Sequence, residues 1–293
     1  MHFQELLDSK KFLVISELQP PKGTDLTEFY DYAEKMRGRI DAINVPDLQS
    51  AVMRLGSLSA SYLLKEKGFT PICNMTCRDR NRLALQSDLL NISVLGIENI
   101  VISRGEDPSL GDHPGAKPVF DLTPLEFISA VRELQKGYDM AKSDLHGTPK
   151  FCVGSTVNSS AQRGALDLEI KKMEEEIRAG VDFFLTTSVF ELDIFENFIR
   201  KIEYLKVPII AGIMILKSVG MARFMNKHVE DVFVPEVLIE RLMKSADKPK
   251  TSVEIASELI NGLKPLCQGV HVSDFVTVVA IAGAAAIASP RSE

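Results

Sequence analysis

Residues 95–108 read Leu95-Gly96-Ile97-Glu98-Asn99-Ile100-Val101-Ile102-Ser103-Arg104-Gly105-Glu106-Asp107-Pro108. The Leu-Gly pair that opens the stretch is a helix stop signal. The Ile100-Val101-Ile102 run that follows has no polar alternation, as expected of a parallel strand covered on both faces. Polar residues with Gly and Pro then end the strand in a loop.

The same unit recurs along the chain. Runs rich in β-branched residues lie at 12–17, 40–45, 70–76, 97–103, 150–156, 182–187, 207–213 and 268–273, eight in all. Helical stretches alternate with them at 26–36, 51–66, 81–95, 123–135, 168–179 and 193–204, and an apolar stretch at 275–288 closes the series. Three more, at 219–227, 235–245 and 252–263, fall between the seventh and eighth runs. Repeated βα units of this number predict an α/β fold, a (βα)8 TIM barrel with extra helices between strands 7 and 8. No low-complexity linker divides residues 1–293, so a single domain is expected. The competing fold, an open doubly wound sheet, usually carries a glycine-rich first turn. The first turn here, Gln19-Pro20-Pro21-Lys22-Gly23, has no GxGxxG.

Composition narrows the function. The net charge of −6 and the absence of a dense Lys/Arg run argue against nucleic-acid binding. The amino-terminal residues show no apolar stretch after their charges, which predicts no secretory signal and a cytoplasmic protein. The apolar stretch at 275–288 is shorter than the roughly twenty residues a membrane-spanning helix needs. It reads as a core helix, with a peripheral membrane contact or a subunit interface as the alternatives. Cys73, Cys77, Cys152 and Cys267 lack the density and spacing of a disulfide framework. The Cys73/Cys77 pair has no further ligands to complete a metal site, so these are read as buried thiols and no metal is expected.

In such a barrel the reacting groups come from the carboxyl ends of the strands. Glu17 tops the first strand. A carboxylate there is partly desolvated, which raises its pKa and suits it to donate a proton near neutral pH. The alternative is a Glu paired with a neighbouring Lys or Arg. After the fourth strand, Arg104-Gly105-Glu106-Asp107, with Asp112 and His113 in the same loop, offers a planar cation and carboxylates to a ligand, or ordinary turn chemistry. Arg78, Arg80 and Arg82 after the third strand could bind phosphate at a helix start, or form an Asp-balanced cap. Small polar residues, 154–160, end the fifth strand. His271 on the eighth reads as a satisfied structural histidine. No Ser-His-Asp, His-Glu-x-x-His or P-loop pattern is present.

Taken in order, several segments resemble the methylenetetrahydrofolate reductase family. They are Glu17 with Pro20-Pro21, Asn74-Met75-Thr76-Cys77-Arg78-Asp79-Arg80-Asn81, Arg104-Gly105-Glu106, Lys117-Pro118-Val119-Phe120-Asp121 and Arg178-Ala179-Gly180-Val181-Asp182-Phe183-Phe184. Gly212-Ile213-Met214-Ile215-Leu216-Lys217-Ser218 and Gly269-Val270-His271-Val272 extend the likeness, in the style of short bacterial and acetogen members. The resemblance implies a barrel that holds a flavin, FAD or alternatively FMN, and passes hydride to 5,10-methylenetetrahydrofolate. Glu17 matches the family's acid. Asn44, Asn74, Arg104, Gly105, Glu106, Phe120, Asp121, Asn158, Glu169 and Lys172 fall at cofactor-contacting positions, with Glu17, Glu106 and Thr187 facing the folate. The electrons would come from NAD(P)H, ferredoxin or a partner subunit, and a homo- or hetero-oligomer is expected.

Asn74 stands where many relatives have His or Gln and Glu106 where Asp is usual, and three further departures matter more. Thr187 stands where a Gln usually holds the pterin, Glu176 stands where Lys is common, and the apolar 275–288 stretch replaces the usual ending. A non-catalytic, partner-dependent subunit and a flavin-free methyltransferase acting on folate are the rival functions.

Overall fold

All eight apolar runs form strands, and helices carry the chain from each strand to the next. The computed structural model describes residues 3–9, 11–161, 164–229 and 232–273. In chain order come α1 (Phe3–Asp8), β1 (Leu13–Glu17), α2 (Thr27–Met36), β2 (Ala42–Val45), α3 (Ser57–Glu66) and β3 (Pro71–Thr76). Next are α4 (Arg82–Val94), β4 (Asn99–Ser103), α5 (Pro124–Lys136), β5 (Cys152–Val157), α6 (Gly164–Ala179) and β6 (Phe183–Ser188). The last are α7 (Leu192–Ile202), β7 (Ile209–Met214), α8 (Val219–His228), α9 (Glu236–Lys244), α10 (Lys248–Leu263) and β8 (Gly269–Ser273). The apolar stretch at 275–288 lies outside the described residues.

Each strand pairs in parallel with its successor, and β8 returns to β1 with Leu13 opposite Gly269 and Ile15 opposite His271. The result is a closed (βα)8 barrel, which leaves no sheet edge to protect. The three helices between β7 and β8 are α8, α9 and α10, as the sequence predicts. α5 shows why its ends were legible: Thr123 and Glu126 make a reciprocal capping box, Pro124 opens the helix and Gly137 closes it in the left-handed region. α3 starts later than residue 51 because Leu48, Ser50 and Ala51 all have positive φ, which a helix excludes.

Alternation along the strands sorts the barrel interior into two levels. The lower level is apolar: Leu13, Ile15, Ala42, Ile72, Phe183 and Ile210 share one buried cluster. α1, which the sequence analysis did not assign, plugs it from below. Its Phe3 and Leu7 join the cluster, and the Phe3 ring meets Phe183 edge-on at 5.3 Å between centroids. Phe183 in turn requires Gly154, because a Cβ there would lie 2.4 Å from the ring. Further along the strands the inward positions become polar: Glu17 faces Asn44 in register, and Asn74, Thr187 and His271 complete the change.

Truncating the plug should therefore loosen the whole floor. Phe3→Ala is expected to lower unfolding stability by about 3 kcal/mol, the cost of emptying a buried aromatic site, measured by urea denaturation.

Candidate functional site

Glu17 ends β1 inside the barrel mouth, where its side chain keeps 16% of its exposure. Burial pushes its pKa from 4.5 to about 7, and a hydrogen bond from the Gln49 side chain opposes that rise. The ionisable group facing it among the described residues is His271, whose Nε2 lies 3.7 Å from Glu17 Oε2. The Lys or Arg partner that the alternative reading required does not enter. The expectation for His271 is overturned: its Nε2 is buried without a hydrogen-bond partner, so it is not a satisfied core histidine. Burial pulls its pKa down to about 4, so the imidazole is neutral at physiological pH.

Around this pair the rim carries unmet hydrogen-bonding capacity. The side-chain oxygens of Asn44 and Asn74 are buried and unpartnered. A native interior usually satisfies such atoms, so two at one mouth make it the candidate site. Across the mouth the Arg104 guanidinium lies over the Phe120 ring at 4.3 Å. Phe120 is held at φ 43°, and Val119 N–H donates to the Arg78 carbonyl at 2.7 Å, which pins this loop beside β3. Gly105 has φ 82°, and a Cβ there would lie 3.0 Å from Thr76 Cβ, so the turn after Arg104 demands glycine.

Other expected site residues also make contacts within the protein. Glu106 faces the buried Arg78, 3.7 Å from its Nη1. Asp121 accepts a two-pronged ion pair from Arg82 at 2.9 Å, and that contact holds its carboxyl down at about 2. Glu169 accepts the Asn158 backbone N–H at 3.0 Å, and Lys172 Nζ donates to the Thr156 carbonyl at 3.2 Å. Both fix the end of β5 to α6. Asn158 Oδ1 accepts from Thr187 Oγ1 at 3.3 Å and from Ser160 N–H at 3.0 Å, which ties the ends of β5 and β6 together. Glu176 is buried in the barrel wall, 4.0 Å from Lys172 Nζ, and burial raises its pKa.

The methylenetetrahydrofolate reductase family matches residues 2–289 of the chain. The chain belongs to the methylenetetrahydrofolate reductase family. Methylenetetrahydrofolate reductase 2 of Schizosaccharomyces pombe is 26% identical over 244 residues, covering 76% of this chain and 36% of the relative. The chain thus spans about a third of the length of that curated relative. A Clostridium thermocellum protein that binds two copies of 5-methyl-5,6,7,8-tetrahydrofolic acid superposes with a TM-score of 0.68 at 16% identity, covering 96% of this chain and 97% of its own. An F420-dependent secondary alcohol dehydrogenase superposes with a TM-score of 0.58 at 11% identity, covering 94% and 99%. At these identities the two structures share the fold.

Within this member of the methylenetetrahydrofolate reductase family, Asp47 and Gln49 shape the mouth although no signal in the sequence marked them. Asp47 is buried and accepts from Thr76 N–H at 2.9 Å, Thr76 Oγ1 at 3.1 Å and the Arg80 guanidinium. Arg78, Arg80 and Arg82 therefore pair with Asp79, Asp47 and Asp121, which is the Asp-balanced arrangement rather than a phosphate site. Asp112 accepts from Lys22, from Met53 N–H at 3.0 Å and from His113 at 2.8 Å, joining the loops after β1, β2 and β4. Gln49 sits among the positive-φ residues of the loop after β2 and also accepts from Gln19 Nε2 at 3.2 Å. No spacing rule marks a lone Gln in a loop, so nothing in the sequence singled it out. Among the described residues no group of metal-ligating side chains forms, and no helix is long and apolar enough to cross a membrane.

The raised pKa of Glu17 has a stability consequence. The folded protein holds its proton between pH 4.5 and about 7 while the unfolded chain releases it, so stability is greatest below 4.5 and is lost as pH rises through 7. Glu17→Gln removes that loss. It is expected to match wild type at pH 4.5 and to exceed it by about 2–3 kcal/mol at pH 8, compared by denaturant titration at the two pH values.

Proposed function

We propose that the chain is a flavin-dependent oxidoreductase that reduces 5,10-methylenetetrahydrofolate to 5-methyltetrahydrofolate, with Glu17 as the proton donor. The observation that carries this reading is a carboxyl whose pKa of about 7 keeps a transferable proton at neutral pH, set at the polar mouth of a barrel in this family. Membership in the family supports the reaction class. The Clostridium thermocellum protein of this fold that binds 5-methyl-5,6,7,8-tetrahydrofolic acid supports a folate as the ligand.

The residues present fit an isoalloxazine. Asn44 and Asn74 offer unpaired carboxamide oxygens to ring N–H groups, and Arg104 on Phe120 offers a stacked cation at the rim. Gly105 keeps the backbone there free of a side chain. Bound at this mouth, FAD or FMN supplies the hydride. The protein's own part is proton chemistry and positioning. Glu17 donates to a bridging nitrogen of the folate, which opens the one-carbon bridge to an iminium able to accept hydride. The burial that raises the Glu17 pKa keeps that proton on the carboxyl near neutral pH. Thr187 and Asn158, joined by their hydrogen bond, would together present the hydroxyl and amide for the pterin in place of a single Gln. The free cysteines, three of them buried, suit a reducing compartment such as the cytoplasm.

The test is reconstitution with FAD and a chemical reductant under anaerobic conditions. Wild type should take up flavin and reduce methylenetetrahydrofolate. Glu17→Gln should keep the flavin and its reduction while folate reduction falls at least about a hundredfold, the usual worth of a general acid. Equal folate turnover in that variant would contradict the role of Glu17, and a protein that takes up neither FAD nor FMN would contradict the flavin.

A further inference from the structure

The Glu17 carboxyl has two polar neighbours of unequal standing. Gln49 already hydrogen-bonds it. His271 lies at 3.7 Å, beyond hydrogen-bond reach, and its buried Nε2 has no other partner. A buried ring nitrogen left unpaired costs free energy, so its persistence calls for a cause. The strands hold it there: His271 is in register with Ile15 on one side and Gly212 on the other, and neither brings a polar side chain.

We propose that His271 is a positioning residue for Glu17: a neutral imidazole, idle beside the protonated acid, that donates its Nε2–H once Glu17 becomes a carboxylate. Its catalytic use rests on the reading of Glu17 as proton donor, whereas the pairing itself can be observed without it. The Glu17 O–H bond breaks, the proton forms a new bond to the folate nitrogen, and the electron pair stays on the carboxylate. His271 hydrogen-bonds that carboxylate and transfers nothing. A donor engaged only by the developing charge lowers the barrier without stabilising the resting state.

The neutrality of the partner is essential to this arrangement. A Lys or Arg at position 271 would hold Glu17 ionised from the outset and leave no proton to give. Among the described residues the side chains facing Glu17 are His271 from β8, Asn44 from β2 and Gln49 from the loop after β2, and burial keeps the imidazole uncharged.

The experiment titrates Glu17 by carbon NMR in ligand-free protein labelled at its Glu carboxyls, with Glu17→Gln identifying the resonance. Loss of a donor to the carboxylate favours the acid, so the Glu17 midpoint should rise by about one pH unit in His271→Leu. His271→Gln, which keeps a side-chain N–H, should restore most of it. Nitrogen NMR of wild type gives a readout that needs no variant to fold: the His271 Nε2 signal should move as Glu17 ionises. In the reconstituted enzyme, folate reduction at low pH should fall about tenfold in His271→Leu with KM unchanged. An Nε2 signal insensitive to Glu17, or an unchanged Glu17 midpoint in folded His271→Leu, would overturn the inference while leaving the proposed reaction intact. Coupled titration in a protein that never reduces folate would instead overturn the proposed reaction and its catalytic use of His271, and keep the pair.

Discussion

A carboxyl group taken out of water at the end of β1, with a neutral imidazole rather than a cation beside it, is the constraint around which this barrel is organised. A surface Glu ionises far below neutral pH. Here burial lifts the pKa to about 7, with Gln49 opposing the rise. The penalty for desolvating a charge is thereby turned into a proton held at the pH where it is useful.

Holding that group steady takes both levels of the barrel. The apolar floor, sealed by Phe3 against Phe183, fixes the strands whose next inward positions are Glu17, Asn44 and His271. Above the mouth, Asp112 and Asp47 tie loops from different βα units to one another and to β3. The positive φ values at Leu48, Ser50 and Ala51 bring Gln49 onto Glu17, and strain of this kind collects where geometry serves a site. Glu169, Lys172 and Asp121 belong to the same bracing: their charges hold the ends of β5 and α4 in place.

Much of this was legible in the sequence, for reasons that differ by level. Parallel strands buried on both faces must be apolar, so Ile100-Val101-Ile102 and Ile209-Ile210-Ala211 announce themselves, and the count of eight gives a closed barrel. Strand order then sends Glu17 to the mouth without any motif. Contacts between distant loops leave no such trace. Nothing in the letters joins Gln49 to Glu17 or Asp112 to Lys22, and a six-residue helix such as α1 is too short to show a period. His271 was misread for a related reason. A lone imidazole is usually satisfied in the core, and only the register of β8 against β1 and β7 shows that it faces Glu17 and no backbone partner.

The proposed reaction requires Glu17 to present its proton to a folate lying on a flavin inside this mouth. A crystal structure with FAD and a folate soaked in tests it most directly. The expected result is the isoalloxazine edge against Asn44 and Asn74, with the Glu17 carboxyl within hydrogen-bond distance of a folate nitrogen. A flavin or folate bound elsewhere, with Glu17 still packed only against His271 and Gln49, would contradict it.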